Sequence, residues 1–172
     1  QLLWEKGSKN RPIQERFLSN KENTTLDGFV FDQREQCEYQ DPQSSGRTQT
    51  NCDSAIRLSL PGVVRNNVIV NPGFDGIAVP AGSTVENNLV VNAINFGIKL
   101  VSLTRDKNLV ATVKNNTVLF TMTFKEPGKG AYNGSAIGLT GGFAAITDNI
   151  LAHSDNNGIY DIYVKDLQTG AI

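Results

Sequence analysis

The chain has 172 residues, with 16 Lys plus Arg against 17 Asp plus Glu and a formal net charge of −1. This length fits one domain, in which roughly 70% of the unfolded surface can be buried around a continuous core. The near-neutral balance supplies no basic stripe for nucleic acid, and no apolar run reaches the ~18 residues of a membrane span.

The chain opens at Gln1, without the shape of a signal peptide, and reads as a processed form or a piece of something longer. Trp4, the sole tryptophan, lies in a stretch without strong pattern, and a weak helical period over residues 12–18 is too short to matter. The pattern begins at Leu26, with Asp27-Gly28 as a first corner. A polar insertion over residues 32–53 then carries both cysteines, Cys37 and Cys52, 15 positions apart. A disulfide between them would contribute roughly 3 kcal/mol through chain entropy; two free thiols are the alternative. Pairing is favoured because two exposed thiols in one loop are a liability, and it implies a secreted, periplasmic or cell-surface setting.

Three stretches then overlie one another without a gap: VRNNVIVNPGFDGIAV from Val64, VENNLVVNAINFGIKL from Val85 and ITDNILAHSDNNGIYD from Ile146. The first two start 21 residues apart. The Asn-Asn element recurs at Asn66-Asn67, Asn87-Asn88, Asn115-Asn116 and Asp148-Asn149. The second element recurs at Ala55-Ile56, Gly76-Ile77, Gly97-Ile98, Ala136-Ile137 and Gly158-Ile159. Two further insertions, residues 102–111 and 121–135, interrupt the spacing. A strand-like repeat of about twenty residues cannot cover its own apolar face and signals a solenoid. Ile69, Val90, Val118 and Leu151 should form one inward column and Ile56, Ile77, Ile98, Ile137 and Ile159 another, with rungs roughly 4.8 Å apart. The second Asn of each pair is expected at a left-handed corner, with its side chains also stacked into a ladder. The glycine before Ile should relieve crowding where the chain re-enters a strand.

With these elements the chain resembles the right-handed parallel β-helix proteins of the pectate-lyase-like superfamily, over residues of about 26–161. The repeat and the resemblance together imply an all-β, single-domain solenoid of about five to seven coils spanning residues 1–172, its right-handed winding taken from the resemblance. Neither end offers a capping helix, so a fragment of a longer helix is expected, whose remainder would be a partner. The resemblance also implies lyases, hydrolases, epimerases, esterases, tailspikes and adhesins as the range of functions.

Alternation along the Gly-Ile strands turns Arg57, Ala78, Lys99, Gly138 and Tyr160 outward, as a groove floor walled by the insertions. At two rungs, Arg57 and Lys99 would stand about 10 Å apart, a spacing that suits successive sugar units. Lys99, Arg57 and Tyr160 are therefore the catalytic candidates, as cations for a uronate carboxylate or as a base in β-elimination. Asp75, Asn95, Ala78 and Gly138, with Lys125 and Tyr132 from an insertion, are the candidates for substrate contact. Asp75, Asn95 and backbone carbonyls could also hold calcium; no other cofactor or metal is expected. The clustered aspartates and Gly-His-Gly of β-helix glycosidases are absent, as are Arg-x-Pro-x-x-Arg and Asp-Pro-His; Asp155 and Asp161 are the only close carboxyl pair near this face. His153, the sole histidine, reads as structural. The expected partner is a polysaccharide. The favoured function is an extracellular carbohydrate-active β-helix, with a lyase preferred to a hydrolase; the alternative is a non-catalytic binding or adhesion module. Ice binding is excluded by the missing threonine arrays.

Overall fold

The computed structural model describes residues 5–6, 12–13, 17–33, 54–101, 106–123 and 133–161. Two short strands, β1 (Glu5–Lys6) and β2 (Pro12–Ile13), pair antiparallel. All later strands pair in parallel. The first rung is β3 (Phe17–Ser19), β4 (Thr24–Asp27) and β5 (Val30–Asp32). The second is β6 (Ile56–Leu58), β7 (Gly62–Arg65) and β8 (Val68–Val70), and the third is β9 (Ile77–Val79), β10 (Thr84–Glu86) and β11 (Leu89–Val91). The fourth is β12 (Phe96–Leu100), β13 (Val110–Lys114) and β14 (Thr117–Leu119). The fifth is β15 (Ser135–Leu139), β16 (Phe143–Thr147) and β17 (Ile150–Ala152), after which β18 (Ile159–Asp161) opens a sixth.

Each sheet takes every third strand. The first sheet runs β3-β6-β9-β12-β15-β18, the second β4-β7-β10-β13-β16 and the third β5-β8-β11-β14-β17. This is a parallel β-helix of five complete rungs and one further strand. No helix occurs among the described residues; Pro12–Ile13 and Phe17–Ser19, inside the weak helical period, are strands. Phe17 and Ser19 pair with Ile56 and Leu58, so partners supplied by the next rung override a short local preference.

Like stacks on like, as the repeat requires. Ile98 pairs with Ile77 and Ile137, and Val90 with Ile69 and Val118, all of them fully buried. The core closes at the first rung, where Leu26 and Phe31 are buried, and opens toward the fifth, where Ile146 and Leu151 are only partly covered.

The Asn pair divides its work differently from the expectation. The first member makes the left-handed corner, with φ of 57° at Asn66, 53° at Asn87, 56° at Asn115 and 57° at Asp148. Gly28, not Asp27, takes this corner in the first rung at φ 78°. The second member turns inward and forms the ladder. Asn67 Nδ2 donates to Asn88 Oδ1 at 2.9 Å, Asn88 Nδ2 to Asn116 Oδ1 at 3.0 Å and Asn116 Nδ2 to Asn149 Oδ1 at 3.0 Å. Asn and Asp tolerate the left-handed region better than other non-glycine residues, so either member could turn; only an inward Cβ can span rungs inside the helix. A second left-handed column follows the third sheet at Asn71, Asn92, Phe120 and His153, whose φ values run from 52° to 61°. There Asn92 Nδ2 donates to Asn71 Oδ1 at 2.9 Å, and the Phe120 and His153 rings stack with centroids 4.8 Å apart.

The glycine before the inward Ile has a steric cause in the third and fourth rungs. A Cβ on Gly76 would lie 2.5 Å from both Val90 Cγ1 and the Gly97 carbonyl oxygen, and one on Gly97 would overlap Val118. Cys37 and Cys52, with the pairing expected of them, lie outside the described residues, as do Lys125 and Tyr132.

Candidate functional site

The outer face of the first sheet carries the column expected of it. Arg57 pairs with Ala78, Ala78 with Lys99, Lys99 with Gly138 and Gly138 with Tyr160, and Leu18 precedes Arg57. The connections that include residues 34–53 and 124–132 leave the helix between the third and first sheets, and that of residues 102–105 between the first and second.

The column is not an open floor along its length. Ala78 is buried, and Gly138 lies under the ring of Phe96, which occupies the space a Cβ would need. Phe96 is itself only 2% exposed, and its ring lies 6.1 Å from that of Tyr160. Tyr160 is half-buried. Arg57 is exposed, beside an open hollow of about 440 Å³ lined also by Leu18, Ser19, Asn20 and Ser59.

Lys99 is the centre of the face. Its Nζ lies 3.5 Å from Asp75 Oδ2 and 5.5 Å from the ring centroids of both Phe74 and Phe96. A carboxylate and two ring faces each attract a cation. Beneath it, Asp75 Oδ1 accepts from Asn95 Nδ2 at 2.8 Å, and Ser54 Oγ donates to Asp75 Oδ2 at 3.3 Å. Asn95 Oδ1 in turn accepts the Asn133 backbone N–H at 3.0 Å, two residues before β15, the strand whose Gly138 is paired with Lys99. Burial raises the Asp75 carboxyl above the usual carboxylate range, while Lys99, Asn95 and the Phe96 N–H pull it back down.

This environment decides what each residue can do. Lys99 is set up as a hydrogen-bond donor and point charge, because its ammonium is already held by an anion and two rings. Asp75 and Asn95 are 2% and 4% exposed, so they lie below the surface, Asp75 against Lys99 and Asn95 against Asp75. The Asp75 oxygens are committed to amide, hydroxyl and ammonium donors, an arrangement that does not fit a calcium ligand set. No cluster of three or more His, Cys, Asp or Glu suited to a metal occurs among the described residues. Asp155 Oδ2 accepts the Thr123 backbone N–H at 2.8 Å, which commits one of the two carboxyl groups noted near this face in the sequence.

Phe74, Phe96 and Ser54 were not singled out by the repeat. Their signal is faint: both phenylalanines stand just before the Gly-Ile element, in GFDGI and NFGI, with Lys99 three positions after Phe96. No protein-family model matches the chain, and neither does any curated protein or solved structure.

Proposed function

We propose that this protein is an extracellular β-helix that lays an extended polysaccharide along the outer face of its first sheet. The observation that carries the proposal is the register of that face. Arg57, Lys99 and Tyr160 stand on the second, fourth and sixth rungs of one column, roughly 10 Å apart from one to the next. A chain of sugars offers hydroxyl or carboxylate acceptors at a comparable repeat, and Tyr160 adds an aromatic edge. The committed state of Lys99 favours retention over cleavage, so a binding module fits this geometry better than an enzyme. Membership of the pectate-lyase-like superfamily, with its right-handed winding, belongs to the same proposal and draws support from the Asn ladder and the small residue before each inward Ile.

A second reading, β-elimination on a uronate polymer, is favoured by the two cations and the Tyr160 phenol on a single column. Electrophoresis through gels cast with uronate polymers or neutral glucans, together with ultraviolet absorbance of the mixtures, separates the two. The expected result is retardation by at least one polymer, weakened about tenfold by Arg57→Ala and by Lys99→Ala, with no absorbance of an unsaturated product. An absorbance rise that Lys99→Ala abolishes would establish elimination. Equal mobility in every gel would sink the polysaccharide reading.

A further inference from the structure

The outer face of the third sheet differs from the other two. Alternation sends Phe31, Ile69, Val90 and Val118 into the core, where all are fully buried. The same alternation turns Val30, Val68, Leu89, Thr117 and Ile150 outward on successive rungs. A second outward column reads Asp32, Val70, Val91, Leu119 and Ala152. Charge is confined to Asp32, at one end. The second sheet, by contrast, presents Asp27 and Arg65 in a 2.9 Å ion pair and Glu86 and Lys114 in another of 3.0 Å. A parallel sheet that is apolar on both faces is normally covered on both. Here Val30 and Ile150 are 53% and 62% exposed, and the residues between them are half-buried.

We infer that this face is a homodimer interface, in which two copies pack third sheet to third sheet with their helix axes antiparallel. Five rungs at about 4.8 Å, with the flanking corners, give a platform of roughly 24 by 17 Å. Two such platforms amount to about 800 Å² as flat areas and, with corrugated side chains, to about 1,000 Å², the size of a weak, reversible interface. A dyad parallel to the strands sets each column against its own reverse, the isologous pattern of a two-fold dimer. Leu89, on the middle rung, then meets Leu89 of the second copy. Val30 meets Ile150 of the second copy, which covers the two most exposed apolar side chains of the face. Asp32 comes to the end of the second copy that carries His153, where the imidazole can donate to the one charged group of the face. The corner Phe120, 45% exposed, adds apolar area along the edge.

This interface lies on a different sheet from the proposed glycan face and stands whether or not that face binds a polymer. Sedimentation of the full chain at about 1 millimolar, above the dissociation constant of a weak interface of this size, tests it. The expected result is a mass twice the 18.7 kDa of one chain. Leu89→Lys places two ammonium groups against each other on the dyad and should return the protein to monomer, with the thermal melt of the wild type in dilute, undimerised solution. Thr84→Lys, on the outer face of the second sheet, should remain dimeric. A monomeric wild type at this concentration, including one whose third sheet is covered by its own chain, would overturn the inference. So would a Leu89→Lys variant that stays dimeric.

Discussion

Replacing Asn88 with alanine removes the middle of the internal ladder, and the structure sets the size of the loss. Asn88 Oδ1 accepts the backbone N–H of Asn67 at 3.0 Å and its Nδ2 at 2.9 Å. Asn88 Nδ2 donates to the Val64 carbonyl at 2.9 Å, the Glu86 carbonyl at 3.0 Å and Asn116 Oδ1 at 3.0 Å. Asn67, Asn88 and Asn116 are each no more than 2% exposed, so water cannot easily take over these bonds. The Asn67 amide keeps a 3.2 Å bond to the Leu26 carbonyl, but its backbone N–H and the Val64 carbonyl lose this partner in a dry interior. At about 1–3 kcal/mol for each unsatisfied group, the expected loss for Asn88→Ala is about 3–5 kcal/mol. Asn149 ends the ladder and makes a comparable set of bonds, to Val113, Thr147 and Asn116. It is half-buried at the open end, however, and hydration there should hold the loss for Asn149→Ala to about 1 kcal/mol. Urea unfolding gives both numbers, provided the m-value is unchanged. Equal losses at the two positions, or a loss below about 1.5 kcal/mol for Asn88→Ala, would refute the claim that buried rungs of the ladder carry stability because water is shut out.

Two further outcomes follow from local geometry. Gly97→Ala should cost about 2–4 kcal/mol, because the new methyl meets the Val118 side chain and, at 2.8 Å, the Ala136 carbonyl oxygen. Gly158→Ala, whose nearest neighbour would be Leu151 Cδ1 at 3.8 Å, should stay within about 0.5 kcal/mol in the same urea titrations; similar losses would contradict the crowding account. For Asp75, burial raises the folded pKa, so the folded protein holds this proton more tightly than the unfolded chain does. The wild type therefore loses stability as pH rises from about 4 toward the raised folded value, and Asp75→Asn lacks that loss. Denaturant titrations at pH 4 and pH 7 should show the variant gaining on the wild type at the higher pH; a difference independent of pH would count against it.

Much of the fold was legible because a helix of stacked rungs turns sequence spacing directly into contact. Ile56, Ile77 and Ile98 recur at a constant interval, so their column could be drawn without coordinates, and with it the rung order of Arg57, Ala78, Lys99, Gly138 and Tyr160. Strand alternation carries that inference only to the ends of each strand. Phe74, Asp75, Asn95 and Phe96 stand at or just before the strand starts, where the backbone turns and side-chain direction no longer follows a period of two. Asp75 and Asn95 are named in the sequence as candidates for substrate contact; at the corner they go beneath the surface, and Phe96 swings over Gly138. The same blindness exchanged the roles of the two asparagines, since the sequence offers two residues that could take a positive φ and only the direction of the inward Cβ chooses between them. Corners are also where the loops leave and where the one buried carboxylate of the site sits beside Lys99. Column positions therefore state which residues share a face, whereas corner geometry decides which of them are free to act. By that criterion Lys99, at the middle of the column, is the residue held most tightly by its surroundings. An exchange at Phe74 or Asp75 should accordingly alter ligand contact at Lys99 more than one at Ala78, its direct neighbour in the register.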